Sequence, residues 1–475
     1  MSFHFVNQSD ITNTKQRKLI RSHVMKGKNL GKKKPNRRQH AESAEKNTII
    51  LRGTGNSSEP AHIISPKPSQ RENNMPAITR QVAHDFSILA SMTGIKIDSE
   101  TVSHIRHLFF YVLEVTSPPD FCRPTGVTAQ MWAHLAIHNK AYFHCTIAMA
   151  SACAAFMTGD KYRSPVALAH MSEAYRLLND RLSSNEPLSD TTVAVVASIN
   201  VYDRLYGDPQ KAMIHLNGLA NMIALTGGIG ELAKRNIIIA EKVFQSDIEL
   251  ALSCGSTPKF SSAGVPRDYI LTDPGRYCND GDVELRHSIL YQSVSAELGE
   301  IVLEALRLTR ILHEASRRAD KLDSIAYQCT HVYIGYRLLE MELDHESGED
   351  TSLDVLVHSA LTGFLNTFCF GLGGKFLAFP LVMERFRSVA RSIRGDSRSQ
   401  QMVLLWALLI GRTSSLVSDG ETWLVERLRT LAHDLELRSW SEVRDALCTF
   451  PWVRSWHDAQ GERFWRAEIE GVVTI

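Results

Sequence analysis

No cysteine occurs before Cys122, and the eight in the chain stand at 122, 145, 153, 254, 278, 329, 369 and 448 without one CxxC pair or a regular spacing. That distribution fits neither a disulfide framework nor a zinc module, and reduced, mostly buried thiols are expected. Acid is just as scarce at the front. Asp10 is the single carboxylate in the first forty residues, and none lies between Lys15 and Arg38. Long apolar runs are missing too. The stretch from Lys140 to Asp160 is diluted by His144, Ser151, two threonines and many alanines, and the denser run Met402–Ile410 covers only nine residues. A spanning helix needs about 20 apolar residues, so both are read as buried helices and no membrane is expected as a partner. The N-terminus turns basic without a following apolar stretch, which is not the pattern of a secretory signal, and an intracellular home is expected.

What the front does hold is positive charge. Lys15, Arg17, Lys18, Arg21, Lys26 and Lys28 precede the denser group Lys32, Lys33, Lys34, Arg37 and Arg38, interrupted by Pro35. The whole chain carries 53 basic and 52 acidic residues; without the eleven cations and one acid of the first forty, 42 stand against 51. A head of about +10 therefore precedes a body of about −9. Such a head suits the acidic grooves of an import receptor, and the same cations attract nucleic-acid phosphate through counterion release without reading sequence. Phe3 and Phe5 are its only aromatics, and it lacks cysteines to fold around zinc.

Residues 1–76 are rich in Lys, Arg, Asn, Ser, Pro and Gly, with almost no apolar periodicity, and read as a disordered basic head and linker. From 77 to 475 helix-length apolar patterns follow one another with no convincing run of alternating strands, so an all-α, large multi-helix domain is expected. Ser164-Pro165 and Asp208-Pro209 predict helix starts, because the first residue caps free amides and the proline has no N–H to lose. The second helix is expected to run to Thr226 and close at Gly227-Gly228. A Gly-, Pro- and Ser-rich loop over 255–282 is expected to subdivide the body. Long amphipathic stretches follow at Glu284–Ser316 and Lys321–Glu346, then helices from Leu353 through Trp465, the last opened by Pro451-Trp452.

Several fragments imitate catalytic motifs and fail at the residues that matter. His134 and His138 have the i, i+4 spacing of a zinc hydrolase, but Leu135 stands where that chemistry needs its Glu base. Gly371-Leu372-Gly373-Gly374-Lys375 resembles a phosphate loop, yet Cys369 and Phe376 replace the leading glycine and the magnesium-binding hydroxyl. No GxSxG nucleophile turn is present. No catalytic residue, metal ligand or cofactor is assigned, and a cytosolic helical enzyme of unknown reaction is the last-ranked alternative.

Two local patterns carry a resemblance. Phe3-His4-Phe5-Val6-Asn7, then Gln16-Arg17-Lys18-Leu19-Ile20-Arg21-Ser22-His23-Val24-Met25 and the lysine run, look like the N-terminus of a group of fungal transcription-factor-like proteins. The stretch from Lys211 to Ile223, with His215, Gly218-Leu219 and Met222, and the closing Gly227-Gly228 resemble the marked helix of the fungal-specific transcription factor domain, the regulatory region of zinc-cluster regulators. Its residues Ala212, Leu216, Leu219, Met222 and Ile223 lie near one helical face, which predicts a packing helix, with Gly218 allowing a close neighbour and His215 a packing partner. The resemblance implies a nuclear transcription regulator with other transcription proteins as partners, and DNA reached non-specifically by the head or through a partner. The six closely spaced cysteines that hold the DNA-reading helix of those regulators are absent. A nuclear scaffold or corepressor that does not touch DNA is the first alternative.

Overall fold

The computed structural model describes residues 93–123, 126–159, 163–184, 188–273, 280–341, 348–369, 371–372, 375–376, 379–414, 416–418 and 420–470. The expectations placed on the head, including Lys15 to Arg38, lie outside these residues. One compact unit spans Ile63–Leu178 and Glu186–Ile475. Of the other, only the helical end Asn179–Ser184 is described, where the Ser184 hydroxyl donates to the Arg181 carbonyl.

The architecture is all-α, as the apolar periodicity predicts. The first half comprises α1 (Ser99–Thr116), α2 (Gly126–His138), α3 (Lys140–Thr158), α4 (Pro165–Ser183), α5 (Asp190–Leu205), α6 (Pro209–Leu225), α7 (Ile229–Arg235) and α8 (Ile237–Cys254). Both proline-led starts form as expected. Ser164 Oγ accepts the Ala167 N–H at 3.0 Å, and Asp208 Oδ1 accepts that of Lys211 at 3.2 Å. Helix α6 closes where the Gly228 N–H donates to the Ile223 carbonyl at 2.9 Å. Gly227 and Gly228 adopt φ of 103° and 89°, open to glycine because no Cβ meets the backbone there. Helix α3 is long and apolar enough to cross a membrane by length and composition, but it packs against α1 and α5, and 61% of its apolar window is buried.

After α8 the chain takes the expected irregular course, closed off by Gly255 at φ 64° and shaped by short turns at Ser262–Gly264 and Arg267–Tyr269. Its polar groups strap it to two helices. Asp247 accepts the Lys259 and Phe260 N–H groups, and Glu340 takes both the N–H and the hydroxyl of Ser262 at 2.6 and 2.7 Å.

The second half adds breaks that the sequence reading did not specify and differs from it at the start of the last helix. The amphipathic stretch 284–316 is divided among α9 (Asp280–Arg286), α10 (Ile289–Gln292) and α11 (Ala296–Arg317). Ser288 Oγ accepts the Tyr291 N–H at 3.3 Å and Ser295 donates its own N–H to Asp354, so both serines start new helices rather than continue the old one. Next come α12 (Ser324–Glu340) and α13 (Gly348–Cys369), then a two-residue antiparallel ladder of β1 (Gly371–Leu372) and β2 (Lys375–Phe376). The described residues of the phosphate-loop look-alike are these two paired strands, and they follow a helix, where a phosphate loop follows a strand. Then follow α14 (Pro380–Ser392), α15 (Arg398–Thr413), α16 (Thr422–Asp434), α17 (Trp440–Ala446) and α18 (Arg454–Phe464), the last continued by a π turn, Trp465–Ile469. Helix α18 opens at Arg454 rather than at Pro451-Trp452. Trp452 is packed in the core, and its indole N–H is held by Asp458 at 2.7 Å.

Helix α15 is the axis of this half. Val403 to Ile410 are all buried, and α13, α14, α16 and α18 surround them. Its start is fixed by a capping box, Ser397 with Gln400, and Ser439 with Glu442 does the same for α17. The described cysteines are free: Cys122, Cys145, Cys153 and Cys329 are buried, and Cys254 and Cys448 exposed. Burial pushes the Cys153 thiol up to about 11.

Three enclosed histidines make the fold sensitive to acid. Burial lowers His331 and His358 to about 4 and His457 to about 3, against an ordinary 6.5. The Val453 N–H donates to His457 Nδ1 at 3.0 Å, which leaves the proton of the neutral ring on Nε2, beside Thr367 Oγ1 at 3.3 Å. Below pH 6.5 the unfolded chain binds protons that the folded one refuses, so each histidine contributes stability that is lost as pH falls towards 4. Glu241 and Glu304, raised by burial to about 7 from 4.5, act oppositely, because the folded chain binds their protons first. The melting temperature should therefore drift down gently from pH 6.5 to 4.5 and drop steeply below, where the two glutamates no longer compensate. His457→Phe should soften that drop. A stability maximum at pH 4, read by calorimetry, would contradict this account.

Candidate functional site

The motif helix α6 buries the face expected of it: Ala212, Leu216, Leu219, Met222 and Ile223 are all enclosed, and Gly218 is partly buried. His215 is 7% exposed and lies at a junction of α4, α5 and α6. Its Nε2 is 3.3 Å from Asp203 Oδ2 and 3.3 Å from the Tyr175 hydroxyl. Arg163 approaches Asp203 and Asp208 at 3.8 and 3.9 Å and sits over the Tyr206 ring, while Asn200 donates to the Ala212 carbonyl at 2.7 Å. These contacts bind three helices together through buried polar groups, which fixes their register as apolar packing alone does not. Among the described residues no group of three metal-ligating side chains converges, here or around His134 and His138, whose rings are 4.3 Å apart.

A part-open cavity lies on the other side of α5, walled by α1, α2, α3, α5 and α8 and touched by Gln328 of α12. It offers ≈ 90 Å³ to the centre of a water-sized sphere, which leaves room for a small organic molecule. Phe109, Trp132, Met149, Leu205 and Ile238 make most of the wall apolar. The Trp132 ring stacks on Tyr142 with centroids 5.8 Å apart and planes inclined by 8°, which stiffens the junction of α2 and α3. Into this wall α8 places adjacent Glu241 and Lys242. Burial raises Glu241 to about 7, partly offset by Lys242, and lowers Lys242 to about 8. The Lys242 ammonium donates to Gln245 Oε1 at 3.4 Å. Thr128 Oγ1, also on the wall, is buried without a hydrogen-bond partner among the described residues.

An apolar pocket with a few convergent polar groups and shifted acid–base behaviour is the usual form of a small-molecule site. Sequence reasoning missed it. Glu241 and Lys242 interrupt the apolar run Ile237–Phe244, which is the one local sign of their burial, but adjacent opposite charges on a helix ordinarily face water.

The comparisons with known proteins agree with the motif helix. No curated protein and no solved structure matches the chain. The model of the fungal-specific transcription factor domain matches residues 129–450, from within α2 through the last residue before Pro451. That span covers more than half of the chain and takes in α6, its glycine closure, α3, α5 and α8 of the cavity wall and most of α2. The chain therefore belongs to the fungal-specific transcription factor domain family, whose members are transcription regulators rather than enzymes.

Proposed function

We propose that the protein regulates transcription in the nucleus, with no zinc-cluster DNA reader among residues 1–475. Residues 77–475 act as the regulatory body, which engages other transcription proteins through its helical surfaces, and residues 1–76 act as a basic arm. Lys32, Lys33, Lys34, Arg37 and Arg38 are the import signal, and the cations from Lys15 to Arg38 contact phosphate. The observation that carries this reading is the family match over 129–450 on a chain whose first forty residues hold eleven cations and one acid. Base-specific readout needs a structured element in a groove, and a short cationic arm without zinc ligands offers charge alone.

The phosphate role has a direct test. The full chain should bind unrelated DNA duplexes with similar affinity at 50 mM salt and lose on the order of a thousandfold between 50 and 200 mM, as counterion release by several cations requires. Titration by fluorescence anisotropy reads both. No binding at 50 mM would remove direct DNA contact and leave the arm as an import signal, with the body working as a scaffold or corepressor.

A further inference from the structure

The described residues include five buried carboxylates: Asp203, Glu241, Asp247, Glu249 and Glu304. Four are answered by the protein itself. Asp203 faces His215, Asp247 accepts two backbone N–H groups and the Tyr336 hydroxyl at 2.9 Å, Glu249 pairs with Arg204, and Glu304 pairs with Arg337 at 3.0 Å. Glu241 is 6% exposed, and among the described residues nothing donates a hydrogen bond to it; the one charge it feels is Lys242. The two lie side by side on α8 and line the same cavity without forming an ion pair. A carboxyl held in an apolar wall without a donor is costly, and a lysine in the same wall costs more, unless something else completes them.

We infer that this cavity binds a small zwitterion with an apolar body, of the class of the apolar amino acids, its ammonium on Glu241 and its carboxylate on Lys242. The chemistry of the wall selects this class over its neighbours. A simple amine would satisfy Glu241 but meet the Lys242 ammonium, and a simple acid would satisfy Lys242 but meet the Glu241 carboxylate. A zwitterion answers both with charge-assisted hydrogen bonds and adds no net charge to a site that water barely screens. Thr128 Oγ1 supplies a further polar contact, and Phe109, Trp132, Met149 and Ile238 take the apolar body. The inference is independent of the role given to the basic arm, since it rests on α1–α3, α5 and α8 alone.

The test is calorimetric titration and thermal melting of the full chain with the apolar L-amino acids from alanine to tryptophan, and with the amine-only and acid-only counterparts of leucine, isoamylamine and 4-methylpentanoate. At least one amino acid should bind saturably and raise the melting temperature, as any ligand specific to the folded state does. Isoamylamine and 4-methylpentanoate should bind at least about tenfold more weakly than leucine, and Glu241→Gln and Lys242→Met should each weaken the bound amino acid by at least about tenfold. Gln keeps the volume of a neutral Glu241 and removes a costly buried charge, so circular dichroism of the unliganded variant should match the parent and its melting temperature should not fall below the parent's. Absence of binding across the panel, equal binding of the one-charge counterparts, or unchanged affinity in a folded Glu241→Gln protein would each overturn the inference.

Discussion

Replacing Trp406 with Ala lowers the unfolding free energy by about 3–5 kcal/mol, among the largest losses a single truncation in this fold produces. Trp406 is fully buried in the middle of α15, stacked on Phe450 with centroids 5.9 Å apart and planes inclined by 20°. Its indole N–H donates to the Pro451 carbonyl at 3.0 Å. The substitution removes a large apolar surface, leaves a cavity among helices that cannot all collapse inward, and strands a buried carbonyl without a donor. Because α15 touches α13, α14, α16 and α18, the loss is shared by the whole second half rather than by one helix. The midpoint of urea unfolding followed by far-ultraviolet dichroism reads the effect. Val283→Ala, at a side chain 60% exposed on α9, should stay within about 0.5 kcal/mol of the parent. A Trp406→Ala protein that unfolds at the parent's midpoint would mean that α15 is not the axis of the core.

What the sequence makes legible is local. Ser164-Pro165, Asp208-Pro209 and Gly227-Gly228 mark helix ends because a cap acts on amides three or four residues away, and the structure places the caps there. The buried face of α6 is legible for the same reason, since helical periodicity brings Ala212, Leu216, Leu219 and Ile223 together whatever they pack on. The breaks at Ser288 and Ser295 were hidden by an apolar pattern that runs through them. A serine can sit inside a helix or start a new one, and here distant partners decide, such as Asp354 for Ser295.

The cavity was invisible for a deeper reason. Its walls come from helices separated by as much as Leu108 is from Gln328, and only the fold reveals that Glu241 has no hydrogen-bond donor among the described residues where Glu249, eight residues later on the same helix, finds Arg204. Charge identity is a property of sequence; charge pairing is a property of packing. The basic arm is the reverse case. Its charge is plain in the sequence, its residues lie outside those the structure describes, and its role rests on electrostatics and on the family to which the body belongs.

That role is also the hinge of the whole account, because a transcription regulator must reach the nucleus. The deciding measurement is the distribution of a fluorescent fusion of the full chain in fungal cells, with the natural sequence and with Lys32, Lys33, Lys34, Arg37 and Arg38 all changed to Ala. The five changes remove the densest cations and touch no residue of the helical body, so folding should be unaltered. The account predicts a nuclear signal for the natural chain and its near-complete loss to the cytosol in the variant. A cytosolic signal in both would contradict it.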